Sequence, residues 1–210
     1  MKKRSLALFM AIVTLISAFA LASCRNSESV SIELDGDLKE RIVYLIEGSR
    51  ELNTVFFGAG LPVYRREGDL IAERKTVYQS MGISGYLNVT EQSDLQRIDE
   101  IKAAASNIFS EPYLAALYET AFDGVVLGND GAYLRFHEDD NFLYQNMSAT
   151  DFGLCERIYD YSTMTVVAPS DSKYINVSIE SYSLSDGRRA DVILSFVYER
   201  GNWYLDSPTY

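Results

Sequence analysis

The chain is 210 residues long, 47% hydrophobic and 12% aromatic, with 30 acidic against 19 basic residues and a formal net charge of −11. Such a length supports one domain with a sizeable core, and the acidic balance excludes a nucleic-acid partner. A single histidine, His137, excludes every site that needs two imidazoles.

The first segment is a leader. Lys2, Lys3 and Arg4 form a basic head, and Ser5 to Leu21 carries no charge and is dominated by Leu, Ala, Ile, Val and Phe. A basic head, an apolar body and a close of small residues make the pattern of a secretory signal. As a membrane-spanning helix the run is marginal, because about 20 apolar residues are needed. It ends on LASC, residues 21–24, before the polar stretch RNSESVS. Leu at −3, Ala and Ser between, and Cys24 at +1 resemble the lipobox of bacterial lipoproteins. The resemblance implies a diacylglyceryl group on the Cys24 thiol, cleavage before Cys24 and acylation of the new amine. More than one acyl chain gives stable anchoring, each buried CH₂ contributing about 0.8 kcal/mol. The expected division is a signal peptide at 1–23, a lipidated Cys24 with a flexible tether over 24–36, and one domain at 37–210. The expected location is the outer side of a bacterial cell membrane.

Loss of Lys2, Lys3 and Arg4 leaves 16 basic against 30 acidic residues, a charge of −14. Such a chain is repelled by nucleic acid, anionic lipid and anionic wall polymers, and it prefers a cationic partner. With Cys24 acylated, Cys155 is the one thiol left, so no intramolecular disulfide can form.

Arg25 to Asp35 reads as the tether. Asp37-Leu-Lys-Glu40 has capping-box spacing, and Leu38, Ile42, Leu45, Ile46 and Leu52 predict a helix ending near Asn53. VFFGAGLPVYRR, with two Gly and a Pro, predicts irregular chain or a short edge strand. Thr76–Gln79 and Gly85–Val89 read as extended. A second helix is predicted from Ser93, with Gln96 three residues on and Leu95, Ile98, Ile101, Ala105, Ile108 and Phe109 as its buried stripe. A third starts at Ser110, with Pro112 in its first turn and Gly124 as its C-cap.

The hydrophobic period then changes from 3.6 to 2. VVLGNDGAYLRF predicts a hairpin around Asn129-Asp130-Gly131, and 142–146 a further strand. Ser148 to Arg157 reads as a connector with a helical turn near Phe152. Strands follow at Thr163–Ala168, Tyr174–Leu184, Ala190–Tyr198 and Trp203–Leu205, with turns at Pro169, Asp186-Gly187 and Arg200-Gly201. Helices first and strands after predict α+β, with N-terminal helices packed on a curved C-terminal antiparallel sheet.

Catalytic chemistry is thinly supplied. Cys155 with His137 is a conceivable nucleophile pair, but GLCERI suits an apolar core position equally well and His137 falls in an acidic stretch. His137-Glu138-Asp139-Asp140-Asn141 offers oxygen ligands for Ca²⁺ without the Asp and Gly spacing of an EF-hand; it reads as a solvated hairpin loop. No G-x-S-x-G, P-loop or G-x-G-x-x-G occurs, and no cofactor is expected. The 15 tyrosines suit sugar or protein contacts and equally suit half-buried strand positions, which is the reading taken for most. Asn88 and Asn146 head glycosylation-type triplets that carry no meaning in a bacterial lipoprotein. Truncation of the terminal WYLDSPTY is expected to be costly.

FSEPYLAALYETAFDG, the DGAYLRF hairpin and the WYLDSPTY ending together resemble envelope lipoproteins of clostridial type with no assigned function. The plan is also similar to cone-shaped NTF2-like domains and to IseA-type inhibitors of cell-wall DL-endopeptidases, over about residues 75–210. The resemblance implies a membrane-anchored, non-catalytic binding or regulatory module whose acidic surface docks on a cationic envelope protein such as a wall hydrolase. It carries no inhibitory residue over to this chain. The alternatives are a small-ligand pocket lined by Tyr and Phe and, behind it, a carboxylate-based enzyme.

Overall fold

The computed structural model describes residues 34–64, 86–123, 125–126, 132–139, 141–147 and 154–210. The leader, Cys24 and the tether to residue 33 lie outside the described residues. So do the strand expected at Thr76–Gln79, the Asn129-Asp130-Gly131 turn, the Gly124 cap, Asp140 and the turn near Phe152.

The first helix, α1, spans Gly36–Phe57 and buries Ile42, Leu45, Ile46 and Leu52, as their spacing predicts. Its N-cap is Asp35 rather than Asp37. The Asp35 carboxylate accepts from the Leu38 N–H at 2.8 Å, filling one donor that the first turn leaves open. Asp37 stands in the first turn, where its charge suits the helix dipole. The helix runs a turn past Asn53, because Val55 and Phe56 are buried and Arg135 collects carbonyls at its end. Arg135 Nη2 donates to Gly58 O at 2.7 Å.

The chain leaving α1 is held by another buried side chain. Gln145 Oε1 accepts from Leu61 N at 2.7 Å, and its Nε2 donates to Ala59 O at 3.0 Å. Gly60 between them has φ +81°, and a Cβ there would meet Gln145 Oε1 at 2.1 Å. Gln145 is fully buried and bonded at both ends, so it cannot swing away. Gly60→Ala is expected to cost roughly 2–4 kcal/mol from left-handed strain and overpacking. Urea denaturation measures this; an unchanged midpoint would show that the loop yields.

Helix α2, Ile98–Ser106, starts later than Ser93 and Gln96 suggest. Those residues build a turn instead: Gln96 Nε2 donates to Thr90 O and Ser93 O, both at 2.7 Å. The helix start is supplied from its own Glu100, whose Oε2 accepts from Arg97 N at 3.1 Å, and from distant Glu138, whose Oε2 accepts from Ile98 N at 3.0 Å. Helix α3, Glu111–Tyr118, forms as expected, with Ser110 as N-cap and Pro112 in the first turn. It continues as a π-helical turn over Glu119–Asp123.

The fold class is α+β; the described residues form three α-helices and antiparallel sheets of three and four strands, beside a two-stranded ladder. β1 (Tyr86–Asn88) is followed by a two-strand ladder of β2 (Val125–Val126) and β3 (Ala132–Tyr133). Then come β4 (Phe136–Asp139) and β5 (Phe142–Asn146), and the three-stranded sheet has the order β1-β5-β4. His137 therefore lies in strand β4, opposite Tyr144, and not in a loop. The loop is confined to the tip, where Asn141 takes φ +67°.

The four-stranded meander comprises β6 (Arg157–Asp171), β7 (Tyr174–Ser183), β8 (Arg189–Glu199) and β9 (Asn202–Leu205). Alternation sends Ile175, Val177 and Ile179 of β7 and Leu194 and Phe196 of β8 inward. Strand β6 is longer than Thr163–Ala168 suggests and runs through Pro169. It lies at the sheet edge, where a missing N–H is tolerated. Four residues of β6 between Asp160 and Thr165 face one of β7, and a bulge of this kind bends the strand. Arg200 and Gly201, both at positive φ, close the two-residue β8–β9 hairpin. The outer edge of β9 is covered by the α2–α3 connector: Ser110 N donates to Leu205 O and Leu205 N to Ile108 O, both at 2.9 Å.

Candidate functional site

The space between helices and meander is filled. Ile42, Leu45 and Ile46 of α1 meet Ile175, Ile179, Phe196 and Leu205 of the sheet in one cluster, and all are at most 1% exposed. Tyrosines serve this packing. Tyr159 donates its hydroxyl to Thr209 O at 2.8 Å, and burial pushes its pKa to about 12. Tyr118 reaches Lys102 O at 2.9 Å, and Tyr86 reaches Leu134 O at 2.7 Å.

The Cys155/His137 pair is not brought together. Cys155 precedes β6 and is half-buried at the surface rather than in the core. Its Sγ lies 3.2 Å from Ser183 Oγ and 3.3 Å from Ser185 Oγ. Those two hydroxyls, Ser183 first, hold the thiol below its usual pKa, with Arg157 adding to the effect. His137 belongs to the other sheet, with its ring edge-on to Tyr86 at 6.5 Å. The acidic stretch beside it is partly spent on structure. Glu138 caps α2 and pairs with Arg97 at 2.9 Å. Among the described residues, no three His, Cys, Asp or Glu side chains could hold a metal ion.

The C-terminal segment is a polar lock on the helices. Asp206 accepts from the buried Ser110 hydroxyl, which also caps α3. Burial lifts the Asp206 carboxyl above its usual range; the Ser110 hydrogen bond opposes the rise and Glu199 adds to it. The folded state thus binds this proton more tightly than the unfolded chain does. Its contribution to stability is present at acid pH and is lost as pH rises through the folded pKa. Asp206→Asn keeps an acceptor for Ser110 and removes the charge. Melting curves of the two proteins are expected to coincide at acid pH and to favour the variant at neutral pH. A wild type at least as stable as the variant at neutral pH contradicts this.

Among the described residues nothing covers the face of the meander turned away from the helices, and its register lines up like charges. Asp160 of β6 is opposite Glu180 of β7, which is opposite Asp191 of β8. Directly opposed carboxylates repel across a sheet. Arg189 Nη1 lies 3.0 Å from Glu180 Oε1, and Asp160 accepts from Ser162 N and Oγ, with Arg189 and Lys39 also favouring its charge. Apolar groups flank the stripe. Ile158 opposite Tyr182 forms the row on one side, and Ile193 stands on the other. Ile158 is 52% exposed, Tyr182 41% and Ile193 61%. The signal for Ile193 was local, because an isoleucine between inward Val192 and Leu194 must point out. The charge row was not local, since it depends on the pairing of three strands.

A polar cleft of about 310 Å³ opens where the end of α1 meets the start of β6 and residues Thr209 and Tyr210. Nothing in the local sequence marks it, because its walls come from three separate segments.

No protein-family model matches this chain. No curated protein matches it either.

Proposed function

We propose that this is a membrane-anchored, non-catalytic envelope lipoprotein that docks a cationic protein partner on the outer face of its meander. The observation that carries this reading is the Asp160–Glu180–Asp191 row between exposed Ile158, Tyr182 and Ile193. A row of opposed carboxylates weakens its own sheet, and a basic surface laid on it would relieve the repulsion. Flanking apolar and aromatic groups supply the buried contact that charge alone does not. The formal charge of −14 after loss of the leader steers a cationic partner toward it. A basic wall hydrolase has the required chemistry, and occlusion of its cleft is the regulatory outcome. Helices packed on one side of a bulged antiparallel sheet support an NTF2-like or IseA-like plan. Within that plan, the packed interior favours a docking module over a ligand-filled apolar pocket.

The test is capture from envelope extract at low and high salt, comparing the wild type with Asp191→Lys. The wild type is expected to retain a basic wall hydrolase at low salt, lower its lytic activity and release it at high salt. Asp191→Lys is expected to lose the partner while becoming more stable by about 0.2–1 kcal/mol, because the cross-strand repulsion is relieved. Equal capture by both proteins, or no partner at low salt, sinks the reading. The stability gain separates lost docking from lost folding.

A further inference from the structure

The meander has two edges, and only one is closed. The α2–α3 connector covers the edge of β9. The edge of β6 pairs with no strand or loop among the described residues. The ladder beside it shows which backbone groups are left over. Asn176 N donates to Ser170 Oγ and Glu180 N to Thr163 Oγ1, both at 2.9 Å. These even-numbered positions of β7 therefore turn their N–H groups toward β6, and Val177 turns its own toward β8. Val166 stands opposite Val177. Opposed residues of an antiparallel pair either face each other or face away together. The N–H and C=O of Val166 thus point out of the sheet edge.

Natural edges are blunted by lysines, prolines, bulges or inward charges. On β6 the bulge before Thr165 closes one end and Pro169 the other. The window between carries no such device. Tyr161 to Ser170 holds no charged residue, in a chain that is 23% charged. Thr165 and Ala168 are exposed, and Val166 and Val167 are half-buried. An uncharged, β-branched edge with free backbone groups is a template for another strand.

We propose that this edge pairs with the β6 edge of a second copy of the chain, antiparallel about a two-fold axis through Val166. The axis sets the two Val166 residues opposite each other, where they exchange both N–H···O=C bonds. Thr165 of one copy then lies opposite Val167 of the other, and Met164 opposite Ala168. An isologous contact needs a surface complementary to itself. This strand is so, because no charge falls within the window and β-branched side chains meet across it. A cationic partner would find no carboxylate there to answer. The four-stranded meanders become halves of one continuous sheet. The contact uses main-chain groups of the edge and does not rest on the docking reading of the outer face. Each copy is net negative, so salt should strengthen the pairing by screening, whereas it releases a cationic partner.

The test is oxidative cross-linking in membranes of cells that co-express two full-length, differently tagged chains, each carrying Cys155→Ala. One chain carries Thr165→Cys and the other Val167→Cys. The mixed pair is expected to cross-link roughly tenfold more than either chain with itself. Directly opposed Cα atoms about 4.5 Å apart suit a disulfide, and diagonal ones about 7–8 Å apart do not. Cys24 is common to every arm and cancels in the comparison. Higher salt should raise the mixed product. Val166→Pro added to both chains should abolish it, because the ring removes the outward N–H at a place where an edge strand tolerates proline; an unchanged melting temperature checks the fold. Absence of the mixed product overturns the proposal, as do mixed and self products in equal amounts. Mixed product surviving in folded Val166→Pro does so too. If Val166→Pro melts early, the comparison of mixed with self products decides alone.

Discussion

Arg135→Met is expected to be among the most damaging single substitutions in the domain. Arg135 is 2% exposed and ties three segments together. Its Nη2 donates to Gly58 O at 2.7 Å, its Nη1 to Asn146 O at 3.1 Å and its Nε to Val55 O at 3.4 Å. Val55 and Gly58 belong to the end of α1, where carbonyls lack partners within the helix and the dipole favours a cation. Methionine fills much of the volume and supplies no donor, so buried carbonyls are orphaned at about 1–3 kcal/mol each. A loss of about 3–5 kcal/mol, the range for breaking buried charged contacts, is a large part of the roughly 5–15 kcal/mol that holds a domain. The melting temperature should fall on the order of 10 °C for a chain of this size. Arg135→Lys keeps the charge without the fork and should fall between the two. A melting temperature for Arg135→Met within about 3 °C of wild type would show that other groups satisfy those carbonyls.

The same residue shows where sequence reading stops. Elements whose instructions are local were legible. Ser110 and Pro112 start α3 from within four residues, Arg200 and Gly201 turn β8 into β9, and alternation alone separates Ile175, Val177 and Ile179 from their outward neighbours. Elements settled by distant groups were misplaced. Helix α1 continues to Phe57 with Arg135, nearly 80 positions away, at its end. Helix α2 waits until Ile98 because Glu138 caps it from β4, while Gln96 is used in a turn. Asp35 displaced Asp37 as the first cap because both fit the local pattern and only one geometry reaches Leu38 N. The candidate surfaces follow the same division. The outward Ile193 could be read from its own strand. The carboxylate row needed the register of β6, β7 and β8, and the cleft needed α1, β6 and the C-terminal segment to meet.

Cys24→Ala is expected to abolish acylation altogether. Cells fed a clickable palmitate analogue should label the wild type and Cys155→Ala equally, and leave Cys24→Ala unlabelled. Mass spectrometry of the processed wild type should find residue 24 as its first residue, carrying acyl groups. The physical demand behind this is strong. With Lys2, Lys3 and Arg4 removed by the proposed cleavage, the formal charge is −14, and anionic lipid would repel the domain rather than hold it. Among the described residues, no helix is long and apolar enough to cross a membrane. One acyl chain gives only marginal binding, with a partition constant of about 10⁴ M⁻¹, so the diacylglyceryl group on the thiol must be present for anchoring to resist repulsion. Wild-type protein is accordingly expected to stay with membranes in high salt and to leave them only in detergent. A free thiol at position 24 of the processed protein, or label surviving in Cys24→Ala, would remove the anchor. The outer face of the meander would then have to find the proposed cationic partner by free diffusion.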